Sequence, residues 1–520
     1  MAEEISWAAP RSGAATSVVL AVTTLLWIIV FRWRQRHRLG PKEWPILGSA
    51  LEITSHFGDM HDWLLSYFEK GLKTFRVVIP GVVYTYTVDQ ANVEYILKTN
   101  FANFPKGELY HRHMETLLGS GIFNVDGEEW RQQRKTASFE FASRILRDYS
   151  TVVFRNNAVK LAEIIARMSQ TQEPIEMQDL FMRLTLDGIC TVGFGVEIGT
   201  LSPSLPAVPF ATNFDNANEA VTYRFFDPIW PLKQRLNIGN EAVLARSVKV
   251  VDDFTYKVIQ TRRTELQYIS SQGKEMKADL LSRFILMGEN SEESLTDKML
   301  RDVILNFIIA GRDTTAVTLS WFVYLLSTHP EVADKVYEEL RHLEEETTID
   351  ESWTLNQRII QQASLLTYDA LSKLNYLHAA ITETVRLYPA VPQNPKGILE
   401  DDILPDGTLV KKGGLVTYVP YAQGRMKELW GKDADEFRPE RWLKDGIFIP
   451  ASPSKFPAFQ AGPRICLGKD SAYLQMKMAM AVLCRFFKFK LMPGHVVKYR
   501  MMATLSMQKG VRVYVSGRDV

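Results

Sequence analysis

The sequence predicts a mainly α protein with minor β structure, a single large domain behind one apolar N-terminal helix. Three observations lead there. Long segments repeat apolar residues at helical spacing, from about Trp130 to Met168, Met177 to Phe194, Asn240 to Gln272, Thr296 to Ser327 and Glu331 to Glu346. Strand-like alternation is confined to short stretches: Lys73 to Val88 with Pro80-Gly81 as a turn, Thr408 to Tyr418, and Lys509 to Val515. An uncharged run from Ala14 to Phe31 falls within the roughly 17–25 residues that a transmembrane helix takes.

Taken in order, residues 1–13 hold Glu3 and Glu4 with only Arg11 basic, whereas Arg32, Arg34, Arg36 and Arg38 follow the apolar run. Positive charge stays on the cytosolic side, so residues 1–13 are expected in the lumen and everything downstream in the cytosol. The run reads as an uncleaved signal anchor over 14–31, since it is long and lacks a small-x-small cleavage site. Residues 32–50 combine the basic flank with Gly40-Pro41-Lys-Glu-Trp44-Pro45-Ile-Leu-Gly48, where prolines deny helix and glycines permit turns; a stiff hinge is expected. The remaining 51–520 form the large domain. Two loops interrupt it, Leu201 to Pro209 and the acidic stretch Glu344 to Ser352, both read as solvated turns.

The chain has 520 residues, 46% of them hydrophobic, which is ample for a core around a cofactor and excludes a disordered or stapled mini-protein. Lysine plus arginine (61) nearly cancels aspartate plus glutamate (60), so no nucleic-acid partner is expected. Three cysteines suggest a reducing compartment, with Cys190 and Cys484 far from Cys466 in apolar helical segments.

Five local patterns carry chemistry. The ten residues Phe459-Gln-Ala-Gly462-Pro-Arg464-Ile-Cys466-Leu-Gly468 set one cysteine in a glycine-flanked loop, where backbone N–H groups can hydrogen-bond a thiolate and a cation lies two residues away. Cys466 is either a buried small apolar residue or a metal-bound thiolate, and the fixed neighbours favour the second. Ala310-Gly311-Arg312-Asp313-Thr314-Thr315 places poor helix formers and a costly acid inside an apolar helix. Thr314 could simply back-bond to a helix carbonyl while Asp313 meets a cation, or the two could handle protons beside a local opening at Gly311. Glu383-Thr-Val-Arg386 is an acid–base pair three apart on one helix face, weak by itself. Phe437-Arg-Pro439-Glu-Arg441-Trp442 and Trp130-Arg131-Gln-Gln-Arg134 complete the set.

Together these patterns, in this order across the chain, resemble those of the cytochrome P450 family. The loop matches its F-x-x-G-x-R-x-C-x-G signature at Phe459, Gly462, Arg464, Cys466 and Gly468. The resemblance implies haem b as cofactor, with Cys466 as the iron ligand whose thiolate favours O–O cleavage. It implies an oxygen side at Ala310, Gly311, Asp313 and Thr314, and propionate donors at Trp130, Arg134 and Arg464. It also implies a structural lock of Glu383, Arg386 and Arg441. No Gly-rich dinucleotide motif or flavin domain is present, so electrons are expected from NADPH through the flavins of a separate membrane-bound NADPH-cytochrome P450 reductase. Basic residues Arg131, Lys135, Lys455, Lys469 and Lys477 are its expected docking face.

The segment from Leu371 to Trp442 and the phrase FQAGPRICLGKDSAYLQMKM resemble the plant clan of fatty-acid omega-hydroxylases, nearest the branch making omega-hydroxy long-chain acids for the sporopollenin of the pollen wall. A monomeric enzyme of the endoplasmic reticulum membrane acting on long-chain fatty acids is therefore expected. By analogy its channel is lined by Leu117, Leu118, Ile122, Phe123, Phe225, Phe226, Ile309, Ala310, Val391, Pro392 and Leu505. Two other readings are a haem-thiolate isomerase or dehydratase of fatty-acid hydroperoxides, and a non-enzymatic haem or lipid binder.

Overall fold

The structure, a computed structural model, describes residues 12–141, 143–272, 279–289, 296–344 and 352–518. Most of the expected lumenal stretch, and the acidic stretch from 345 to 351, lie outside the described residues.

The apolar run forms a helix, Ser12–Arg34, and most of its side chains from Val18 to Trp33 are exposed and none is buried in the domain. Residues Thr16–Arg34 are long and apolar enough to cross a membrane. The hinge beyond it is tied down: Trp44 and Gly48 exchange backbone hydrogen bonds of 2.6 and 2.8 Å, and Arg38 pairs with Glu43 at 2.6 Å. Gly48 (φ +57°) must be glycine, because a Cβ there would lie 2.3 Å from the Val78 carbonyl oxygen.

A four-stranded sheet runs Thr74–Ile79, Val82–Thr87, Leu415–Tyr418, Asn394–Gly397; the middle pair is parallel, with Tyr84 opposite Leu415. The expected strand Thr408–Tyr418 divides. Leu409–Val410 joins a separate hairpin, because Gly413 (φ +80°) turns the chain between the two pieces. A second sheet runs Phe487–Leu491, Arg512–Gly517, Ile175–Glu176, placing the C-terminal strand three residues later than its expected start.

The helix Met177–Phe194 matches its expected bounds. The run from Trp130 to Met168 is two helices, Gly127–Phe141 and Arg144–Ser169, because Ser143 caps the second through its hydroxyl and the Leu146 N–H. Gly239–Ser271 and Pro330–Arg341 follow as expected to within a few residues, the latter ending short of Glu346. Pro209–Tyr223 is a helix the polar residues in its sequence conceal.

The central helix starts at Asp297, capped by the Thr296 hydroxyl, and is buried almost all round. From Ile309 to Asp313 it widens into a π turn before resuming as Thr314–Thr328. Such widenings mark places where helical packing gives way to function. It packs against Met177–Phe194 on one side and Asn375–Leu387 on the other.

Candidate active site

Cys466 sits on a loop built from two short 3-10 turns, Pro457–Phe459 and Gly462–Arg464, that feeds into the helix Lys469–Phe486. Its own N–H donates to the Phe459 carbonyl at 2.9 Å. Gly462 (φ +62°) lets the loop press on its neighbour, since a Cβ there would lie 2.0 Å from the Leu97 carbonyl oxygen. Cys466 presents exposed surface, yet protein surrounds it closely enough that burial pushes its thiol up. The Gly468 N–H, Arg134 and Lys469 pull the other way.

A cavity of about 170 Å³ lies between the cysteine loop and the central helix. Gln460 borders it on the loop side, and Ile309, Ala310 and Thr314 on the widened turn. Leu118, Phe123, Phe225, Phe226 and Val391 also line it, as expected. Four expected residues do not. Leu117 is buried with its carbonyl held by Arg301, and Ile122 packs with Val125 and Trp130. The Pro392 carbonyl accepts from the Tyr421 N–H, and Leu505 is core, its carbonyl accepting from the Trp321 indole. Tyr84, Tyr86, Tyr110 and Met114 take their places, projecting from elements that show no channel signal in sequence.

On the widened turn the Thr314 hydroxyl donates to the Ala310 carbonyl at 2.6 Å. Gly311 faces the neighbouring helix, where a Cβ would meet Ile189 at 2.8 Å. Asp313 is fully buried and does not line the cavity. Its Oδ1 accepts from Arg312 at 2.6 Å, and the same Arg312 nitrogen donates to Asp215 at 3.0 Å. Burial pushes the Asp313 carboxyl up to about 7, with Arg312 opposing and Asp215 reinforcing. The Asn218 amide lies near but misses hydrogen-bond geometry, so that among the described residues Asp313 Oδ2 and Asn218 Nδ2 have no hydrogen-bond partner.

At the opposite edge Trp130, Arg134 and Arg464 converge. The Arg464 guanidinium lies 4.4 Å over the Trp130 ring and donates to Val125 O (2.8 Å) and Asp126 Oδ1 (2.6 Å), with its Nε unpartnered. Arg134 reaches the cysteine loop instead, donating to Ile465 O at 2.8 Å. Two buried lysines join them that nothing in the sequence singles out. Lys396 Nζ reaches only Gln460 Oε1, at 3.4 Å, and Lys106 Nζ lies 4.1 Å over the Tyr110 ring. Asp126, the nearby carboxylate, is already committed to Arg464 and to the N–H groups of Lys106 and Gly107. Three buried basic side chains thus surround one half-buried carboxylate. Burial lowers Lys106 to about 7, Arg464 to about 10 and Lys396 well below its usual range; Arg464 adds to the effect on both lysines, Lys106 to that on Lys396, and Arg134 to that on Arg464.

Behind the cysteine loop Glu383 and Arg386 pair through two bonds of 2.7 Å, both side chains wholly buried. Arg441 joins at 3.2 Å, as expected, and Trp442 adds an indole bond of 2.8 Å. Of the basic residues expected to dock a partner, Arg131 and Lys135 are exposed. Lys477 is not: it is buried, its stem packed among apolar neighbours and its ammonium donating to the Leu371 carbonyl at 2.6 Å at the end of the helix Tyr368–Lys373.

The sequence model of a family described as Cytochrome P450 matches residues 39–514. Among individual proteins, Cytochrome P450 704B1 of Arabidopsis thaliana is 56% identical over 521 residues, covering 96% of this chain and 99% of its own. Cytochrome P450 704C1 of Pinus taeda is 48% identical over 514 residues, 97% of each chain. Cytochrome P450 86B1 of Arabidopsis thaliana is 40% identical over 513 residues, 96% of this chain and 90% of its own.

Proposed function

We propose that this chain, which belongs to the cytochrome P450 family, hydroxylates the terminal carbon of long-chain fatty acids at the cytosolic face of the endoplasmic reticulum. As a member of the family it is a monooxygenase that uses haem b and takes its electrons from a reductase. The residues present fit that cofactor: Lys106, Lys396 and Arg464 gather around a single carboxylate, Asp126, and the two carboxylates a haem carries would hold the buried lysines in their charged form. Cys466 would hold the iron, Arg134 would balance the thiolate, and Trp130 and Arg464 would flank the carboxylate end. When bound, the haem supplies oxygen activation from O₂ and two electrons.

The chain's own residues then do the rest. Thr314 keeps a hydroxyl at the cavity wall whose oxygen can accept a hydrogen bond and, by turning its own hydrogen away from the Ala310 carbonyl, relay a proton, and Asp313 behind it holds a proton near neutral pH. Glu383, Arg386 and Arg441 hold the support under the cysteine loop. Electrons arrive from NADPH-cytochrome P450 reductase docked over Arg131, Lys135 and neighbouring exposed cations, with the enzyme acting as a monomer.

The observation that carries the substrate reading is the cavity wall: Leu118, Phe123, Phe225, Phe226, Ile309 and Val391 form an apolar route to Ala310 and Thr314. A terminal C–H bond is stronger than its internal neighbours, so an unconstrained chain would react further in; a close apolar wall that admits only the methyl end overrides that preference. The product bears a hydroxyl at one end and a carboxyl at the other, which suits it to polyesters such as the pollen-wall polymer. The test incubates membranes holding the protein and its reductase with acids of graded length and identifies products by mass spectrometry. Terminal alcohols are expected, and mainly in-chain alcohols would sink the proposal.

A further inference from the structure

The loop from Leu117 to Val125 is pinned to the central helix by polar side chains just before the widened turn. Arg301 donates to the Leu117 carbonyl at 2.9 Å, and Asp302 Oδ2 accepts from the Ser120 N–H at 2.9 Å. Asn306 makes two bonds to the loop: its Nδ2 donates to the Leu118 carbonyl at 2.8 Å and its Oδ1 accepts from the Phe123 N–H at 3.0 Å. Leu118 and Phe123 are the two residues of this loop that line the cavity, and Ala310, four residues beyond Asn306, lines it from the helix. One amide therefore holds both parts of one wall at a set distance from the other.

Two glycines make the contact close. A Cβ on Gly119 would lie 2.1 Å from the Asp302 carboxyl, and one on Gly121 would lie 1.9 Å from the Asn306 amide nitrogen. Those side chains cannot swing aside cheaply. Asn306 is fully buried and also donates from Nδ2 to the Asp302 carbonyl at 2.8 Å, so displacing it breaks several bonds where water cannot replace them.

We propose that Asn306, supported by Asp302, is the positioning residue that sets the width of the cavity beside Ala310 and so decides which carbon of the substrate is oxidised. The assignment rests on the terminal-hydroxylation reading above. A loop held tight admits only the slim methyl end, whereas a loosened one lets the chain fold and present internal methylenes, whose C–H bonds are weaker.

Two variants test it, each in the full chain with its reductase and a saturated long-chain fatty acid. Asn306→Asp keeps size and the acceptor for Phe123 but loses the donor shared by the Leu118 and Asp302 carbonyls. Gly121→Ala leaves Asn306 in place and drives a methyl into its amide. The ratio of terminal to in-chain alcohol is read by mass spectrometry. The thiolate band of the reduced, carbon-monoxide-bound protein and the absorbance change on fatty-acid binding without reductase are read alongside. The ratio is expected to fall about fivefold in both, the equivalent of one lost neutral hydrogen bond, while thiolate band and fatty-acid affinity hold. An unchanged ratio in either variant with an intact band overturns the proposal. Loss of the band in both overturns it as well, since the side chain would then hold the fold and not the wall. If the wild type makes no terminal product, the terminal reading falls, but the positioning role is still tested, because the variants must then alter whatever product distribution the wild type gives.

Discussion

Arg386 grips Glu383 through two parallel hydrogen bonds of 2.7 Å, with neither side chain exposed to solvent. The Arg441 guanidinium, the Trp442 indole and the Arg438 N–H complete the shell around the same carboxylate. Removing one partner leaves a buried, uncompensated charge, which costs about 3–5 kcal/mol against a total stability of about 5–15 kcal/mol. Arg386→Ala should therefore yield no folded haem-thiolate protein, checked by the carbon-monoxide difference spectrum. Arg386→Lys should fail too, because an ammonium cannot make the two-pronged contact.

Thr314 spends its hydroxyl hydrogen on the Ala310 carbonyl, so its oxygen lone pairs face the cavity. Thr314→Ala should leave haem content and fatty-acid binding intact while product formed per NADPH consumed falls about tenfold. Thr314→Ser should restore most of it. Unchanged coupling in Thr314→Ala would remove the residue from proton delivery.

Lys396 is buried, and its nearest hydrogen-bonding group is the side-chain oxygen of Gln460. A haem carboxylate would give it a charged partner, worth about 1.5–3 kcal/mol. Lys396→Met should accordingly speed transfer of haem to apomyoglobin by about tenfold or more. It should also stabilise the haem-free chain against heat, since an amine that must shed its proton to be buried gives way to an apolar side chain. Equal transfer rates would exclude the lysine from the haem site.

The Asp313 carboxyl, raised by burial from 3.8 to about 7, gives a defined pH signature. Between those values the folded protein keeps a proton that the unfolded chain has released. Folding is then favoured by acid, and this group's contribution is present below about pH 4 and lost as pH rises through about 7. Thermal unfolding of the wild type should lose stability over that interval from this source, and Asp313→Asn, which cannot titrate, should flatten the slope.

The cysteine loop, the Glu383–Arg386 pair and the unusual centre of the Thr296 helix were legible in sequence because each is local. Their partners lie within a few residues, so spacing alone reports them. The widening at Ile309–Asp313 follows from poor helix formers in an apolar helix. Lys106 and Lys396 were not legible: they are single lysines on unrelated elements, and only the packing of the Gly107–Leu118 helix against the Asn394–Gly397 strand brings them together. Lys477 went the other way, from an expected surface cation to a buried one, because exposure is set by neighbours distant in sequence.

By itself, the sequence determined the mainly helical fold, the apolar N-terminal helix, the cysteine loop and the chemistry it supports, all encoded in periodicity and in contiguous motifs. Only the tertiary structure decided which side chains wall the cavity and which cations surround Asp126. It also decided that one asparagine, Asn306, holds Leu118 and Phe123 across from Ala310. The reason is physical: a motif needs only neighbours along the chain, whereas a cavity is the space left between elements, and its shape depends on how closely glycines such as Gly119 and Gly121 let those elements approach.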